Sequence, residues 1–81
     1  MTWTVRSGAD LGRAIADIRD LRRLTQEELA REMVIGRSYL SKIEAGRSVS
    51  LLEHMLRAFR RLGAQVTVTY DHLPDGATES A

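Results

Sequence analysis

The sequence predicts a mainly α-helical domain of four to five helices, followed by one C-terminal β-strand. Between Ser7 and Gly63 the apolar residues recur at spacings of three and four, the pattern of helices that each bury one stripe. Helix-start signals and glycines divide that stretch into short pieces. From Gln65 to Tyr70 the period falls to two, with Val66, Val68 and Tyr70 alternating with Gln65, Thr67 and Thr69, as in a half-buried strand.

The first helix rests on Leu11, Ile15 and Ile18, with Ala14 beside them and Arg13, Asp17 and Asp20 on the opposite side. Ser7 and Asp10 give it a start signal, and Arg22 and Arg23 lie where cations suit the dipole at a helix C-terminus. Thr25 and Glu28 have the spacing of a capping box, in which each side chain satisfies a backbone N–H of the first turn. Leu29, Ala30 and Met33 follow as the apolar set of a short second helix, Gln26 to Met33. Val34, Ile35 and Gly36 interrupt the pattern. Arg37 to Ala45 resumes it with Leu40 and Ile43 inward and Arg37, Ser38, Ser41 and Lys42 outward, so two short helices are expected to meet across a tight turn.

Gly46 ends the third helix, because a residue without Cβ enters the left-handed conformation that closes a helix. Ser50 and Glu53 read as a second capping box. They open a fourth helix with Leu52, Met55, Leu56, Phe59 and Leu62 on its apolar side, Arg57, Arg60 and Arg61 outside, and Gly63 as its stop. The chain thus divides into an extended segment (1–6), in which Trp3 and Val5 alternate as in a strand, a helical domain (7–63), a strand (64–70) and an acidic tail (71–81) expected to be solvated and mobile. The expected core is Leu11, Ile15, Ile18, Leu24, Leu29, Met33, Ile35, Leu40, Ile43, Met55, Leu56 and Phe59.

With 81 residues there is room for one small domain. A chain without cysteine has no disulfide and no thiolate metal site, and two histidines, His54 and His72, are too few to build a metal site alone. No stretch approaches the roughly 20 apolar residues of a membrane span. A soluble cytoplasmic protein without metal or cofactor is expected. The formal charge of +1 hides a division: residues 1–70 hold twelve cations against eight carboxylates, a net +4, while Asp71, Asp75 and Glu79 stand in a tail without Lys or Arg. Eleven of the twelve cations are Arg, which suits two-pronged contact with phosphate or guanine, although a codon bias toward Arg gives the same count.

The runs Leu24-Thr25-Gln26-Glu27-Glu28-Leu29-Ala30 and Arg37-Ser38-Tyr39-Leu40-Ser41-Lys42-Ile43-Glu44-Ala45-Gly46-Arg47 closely resemble the helix-turn-helix core of the XRE family, the lambda-repressor-like DNA-binding domains. The resemblance covers about Leu11 to Leu62. The strand and acidic tail beyond it look like the layout of HipB-type antitoxins, whose members are homodimeric operator-binding repressors. The resemblance implies a sequence-specific repressor, located in the cytoplasm with the nucleoid, that binds a palindromic operator in double-stranded DNA as a homodimer. It further implies the autoregulatory antitoxin of a HipBA-type module, with a HipA-like toxin kinase as partner. Two alternatives stand beside it: an interaction module that mainly neutralises such a kinase, and a stand-alone XRE-family repressor.

A helix in the major groove reads base edges with its exposed N-terminal turns. Arg37 is the foremost candidate, since its guanidinium can grip guanine O6 and N7 together, and Ser38, Ser41 and Lys42 share its face. Gln26 and Arg47 are expected on backbone phosphate, and Tyr39 either stacks on the backbone or packs across the turn. The resemblance assigns Arg19 and Glu44 to a structural ion pair joining the first helix to the third. Three residues depart from the family pattern: Arg23 and Val34 stand where glycine is common, and Gly36 where Ser or Thr usually caps the helix. A β-branched residue resists positive φ, so the turn at Val34 is open to remodelling, but glycine is an acceptable cap and the third helix is expected to form.

A strand needs a neighbour for its N–H and C=O groups. Val66, Val68 and Tyr70 are therefore expected to form a dimer strand, paired with its own copy across a two-fold axis, with the segment Thr2 to Arg6, or with both. An enzyme is not expected. Glu53 and His54 point about 100° apart on a helix, and the sequence has no phosphate loop or nucleophile elbow.

Overall fold

A computed structural model of the chain describes residues 1–47 and 49–71. Its elements run β1 (Thr2–Val5), α1 (Gly8–Leu21), α2 (Gln26–Met33), α3 (Arg37–Glu44), α4 (Ser50–Arg61) and β2 (Val66–Thr69). The expected mobile tail lies, from residue 72 on, outside the described residues.

Local chemistry accounts for most of the boundaries. The Ser7 hydroxyl accepts from the Asp10 N–H at 3.4 Å, and the Asp10 carboxylate accepts from the Arg6 N–H at 2.8 Å, so the start of α1 is tied in both directions. The Thr25 box forms in full: the Glu28 N–H donates to Thr25 Oγ1 at 3.0 Å, and the Thr25 N–H donates to Glu28 Oε1 at 2.8 Å. The second expected box does not form. Val49 is the N-cap of α4 and Ser50 is already the first helical residue, one position too late for its hydroxyl to cap. The Glu53 carboxylate instead accepts from the Gly8 N–H at 2.9 Å, one of the donors that the first turn of α1 leaves without a helical partner.

All four helices close in the same way. A backbone N–H reaches back five residues, from Leu24 to Arg19, Ile35 to Ala30, Arg47 to Lys42 and Ala64 to Phe59, at 2.8–3.1 Å. In each case the residue just before the donor is left-handed: Arg23 (φ 58°), Val34 (φ 59°), Gly46 (φ 89°) and Gly63 (φ 83°). In the turn between α2 and α3, Val34 thus supplies the left-handed residue itself. The bonds of the motif hold a β-branched residue in the conformation that glycine takes at no steric cost.

The strand β2 is present, and the N-terminal segment, one of the two neighbours expected for it, forms the other strand among the described residues. They pair antiparallel within the chain, Thr2 with Thr69, Trp3 with Val68, Thr4 with Thr67 and Val5 with Val66. Met1 and Tyr70 extend the ladder, each backbone nitrogen donating to the other's carbonyl at 3.1 and 2.9 Å. Alternation puts Trp3, Val5, Val66 and Val68 on the covered face and the four threonines on the exposed one. Trp3 Nε1 donates to the Asp17 carboxylate at 2.8 Å, which fastens β1 to α1.

Val5, Ala14, Ala30, Leu40 and Leu56 are the buried hydrophobic core. Leu11, Ile15, Ile18, Leu24, Leu29, Ile35 and Ile43 are half-buried around them. Three residues expected in the core are not there: Met33, Met55 and Phe59 are exposed. Met33 lies in the last turn of α2, and the apolar side of α4 is wider than the surface it packs on. Among the described residues no helix is long and apolar enough to cross a membrane, and no group of acidic or histidine side chains is arranged to hold a metal ion.

Candidate nucleic-acid interface

The orientation of α3 is fixed from behind. Leu40, the largest fully buried side chain, points inward from its centre. On that side α1 crosses the last turn of α3 so closely that a Cβ on Gly12 would lie 2.4 Å from the Ile43 carbonyl oxygen and 2.7 Å from that of Glu44. Just past the helix end, a Cβ on Gly46 would meet Ala9 Cα at 2.6 Å. Glycine is required at both places because backbone meets backbone.

Glu44, at the C-terminal end of α3, is the acceptor of a small polar cluster. Arg19 Nε donates to Glu44 Oε2 at 2.7 Å and Arg19 Nη2 to Glu44 Oε1 at 3.0 Å, a two-pronged pair. Arg19 Nη1 donates to the Leu24 carbonyl at 2.8 Å, and Gln26 Nε2 donates to Glu44 Oε1 at 2.9 Å. The Glu44 carboxylate thus joins the end of α3 to α1 and to the first residue of α2, and Arg19 ties the α1–α2 connection to the same cluster. The side chains of Arg19 and Glu44 are only 14% and 6% exposed. Burial pushes the Glu44 carboxyl up, but hydrogen bonds from Arg19 and Gln26 and the Arg19 charge outweigh it and hold the group below its ordinary range. The Glu44 hydrogen bond raises the Arg19 guanidinium further, against the opposing effect of burial.

The opposite side of α3 is open. Arg37, Ser38, Ser41 and Lys42 are all exposed, and their spacing puts them along one face. Tyr39 is 60% exposed, and Arg47 is exposed beyond Gly46. Among the described residues, Arg37, Lys42 and Arg47 make no side-chain hydrogen bond or ion pair. Arg37 opens the helix at the positive end of its dipole, and α3 alone of the four helices has no acidic residue in its first turn; α1 has Asp10, α2 has Glu27 and Glu28, and α4 has Glu53. An anion from outside the chain would complete this end.

Gln26 commits one amide hydrogen to Glu44, and its other N–H and its oxygen take no part in that bond. Sequence reasoning missed Gly12, the residue that sets how closely α1 approaches α3. Its signal was a glycine in the middle of an amphipathic helix, which usually marks a packing requirement.

A buried-backed, open-faced helix set across a tight turn from a short helix is the arrangement of a helix-turn-helix protein. A helix-turn-helix family model matches residues 15–67, which include α2, the turn and α3. The chain belongs to the XRE-type helix-turn-helix family of DNA-binding regulators. No curated protein and no solved structure matches the chain.

Proposed function

We propose that the protein is a sequence-specific transcriptional repressor that binds a palindromic operator as a homodimer, with α3 as the reading helix. The observation that carries this reading is the exposed row Arg37, Ser38, Ser41 and Lys42 on a helix whose inner side is pinned by Leu40, Gly12 and the Glu44 cluster. Arg37 takes guanine O6 and N7, with Ser38, Ser41 and Lys42 at neighbouring base edges, and Gln26, Tyr39 and Arg47 hold the phosphate backbone. Preformed orientation matters because a base contact discriminates only when its donor arrives in a fixed position.

The test is binding of the full chain to a labelled duplex carrying its gene's own upstream DNA, against a scrambled duplex, across a salt series. A specific repressor prefers the upstream duplex by about a thousandfold or more. Equal affinity for both would overturn the reading.

The role of antitoxin in a HipBA-type module rests on the strand and tail following the helical domain, and its test is co-purification with a kinase-like product of the adjacent gene. A stand-alone repressor is the second reading, favoured by one observation: β1 fills one edge of β2 within the chain, so β2 does not need a partner chain to be a paired strand.

A further inference from the structure

The fourth helix has more apolar surface than the chain covers. Leu56 is buried and Leu52 is half-buried, whereas Leu51, Met55, Phe59 and Leu62 are 68%, 51%, 44% and 80% exposed. At 100° per residue these four lie within an arc of about 80° along one side of α4, with Arg57 and Arg60 behind them. Arg60 is engaged there, donating to the Arg6 carbonyl. From such exposures the stripe presents on the order of 400–500 Å² of apolar surface, near the upper end of what soluble monomers show.

The stripe is also close to symmetric. Its spacings of four, four and three place Met55 and Phe59 equally far to either side of residue 57, and Leu51 and Leu62 one residue short of equally far. Turned about a two-fold axis through that point, a second α4 running antiparallel sets Leu51 against Leu62 and Met55 against Phe59, twice over. Opposed helix dipoles suit that arrangement, and a surface that complements itself is what an isologous dimer requires.

We infer that the exposed side of α4 is the contact through which two copies of this chain associate. This rests on the homodimer of the proposed function and names its surface. The stripe supplies about half of the roughly 800 Å² that each partner contributes to a standard interface, leaving a rim for Ala58, His54 and Arg61. The rival surface is the outer edge of β2. In the antiparallel ladder Met1–Tyr70, Trp3–Val68 and Val5–Val66 are the hydrogen-bonded pairs, so the N–H groups of Thr67 and Thr69 point to the free edge. Proline at 69 therefore blocks edge pairing without removing a bond to β1.

Sedimentation of the full chain without DNA at micromolar concentration separates the two surfaces. The wild-type chain and Thr69→Pro are expected at dimer mass, and Leu51→Glu/Leu62→Glu at monomer mass with unchanged helical circular dichroism. A monomeric wild type, a dimeric double variant, or a dimer lost in Thr69→Pro alone would overturn the inference. Should the double variant unfold, cross-linking decides. The chain has no cysteine, so mixed Leu51→Cys and Leu62→Cys chains oxidise to a covalent dimer severalfold faster than either alone, and no such excess rules the pairing out. Neither measurement involves DNA, so failure of the interface and failure of operator binding are read separately.

Discussion

Gly12 of α1 sits against the Ile43 carbonyl of α3, with so little space that a methyl group on its Cα would come within 2.4 Å of that oxygen. Because the obstacle is backbone, no rotamer change relieves it. Gly12→Ala is expected to destabilise the fold by about 3 kcal/mol, as overpacking against an unyielding neighbour does. The shift in the midpoint of urea unfolding checks this, and Gly36→Ala, where nothing lies within 4 Å, is the control expected to stay close to wild type.

Removing Glu44 takes from the part-buried Arg19 its two-pronged partner and leaves Asp20, 3.5 Å away, as its ionic contact. Glu44→Ala is expected to cost about 2 kcal/mol by the same measurement, less than breaking a fully buried pair. The double variant Arg19→Met/Glu44→Leu should recover much of the loss, because the pair fixes orientation more than it adds net stability.

The same carboxyl makes the fold acid-sensitive. Its folded-state affinity for protons is below the ordinary one, so its contribution is complete above its unfolded value of about 4.5 and disappears as pH falls through the folded value. Wild-type stability should therefore decline more steeply than that of Glu44→Gln when the pH is taken from 4.5 downward, in equilibrium unfolding at a series of pH values. Parallel curves would remove Glu44 from this role. Arg19, raised rather than lowered, keeps its charge throughout that range.

Val34 is 89% exposed at φ 59°, and its side chain gains little burial for the strain of its backbone. Val34→Gly is expected to stabilise the protein by about 1 kcal/mol, the left-handed penalty less the greater chain entropy of glycine when unfolded. Arg23→Gly should act in the same direction. Thermal unfolding of each variant reads the change, and a lower melting temperature would contradict it.

Arg37→Ala should lose discrimination at one base pair, about 1–3 kcal/mol between matched and mismatched duplexes, whereas Arg47→Ala should weaken all duplexes about equally. Anisotropy titrations on both duplexes separate the two effects. Identical profiles for the two variants would end the division between reading and clamping.

The helices were legible because their signals are local. Thr25 and Glu28 form the bonds that their spacing announces, and Gly46 and Gly63 adopt the left-handed turns they permit. The open face of α3 follows from the alternation of Leu40 and Ile43 with Arg37, Ser41 and Lys42. What the sequence left open depends on contacts between distant residues. Ser50 and Glu53 carry a capping-box spacing, but the helix begins one residue early and Gly8, 45 positions away, takes the carboxylate. Periodicity marks Met55 and Phe59 as apolar-face residues without saying what covers that face. The sequence offered β2 two neighbours, its own copy and the N-terminal segment, and β1 occupies one of its edges.

Arg19 of α1 and Gln26 of α2 both donate to a single carboxylate, Glu44, at the far end of α3 from Arg37. The rod is thus held by its tail and its back, and none of the side chains aimed outward takes part in holding it. If α3 reads bases as proposed, exchanging Ser38, Ser41 or Lys42 for other polar residues changes which duplex is preferred while the scaffold keeps its pose.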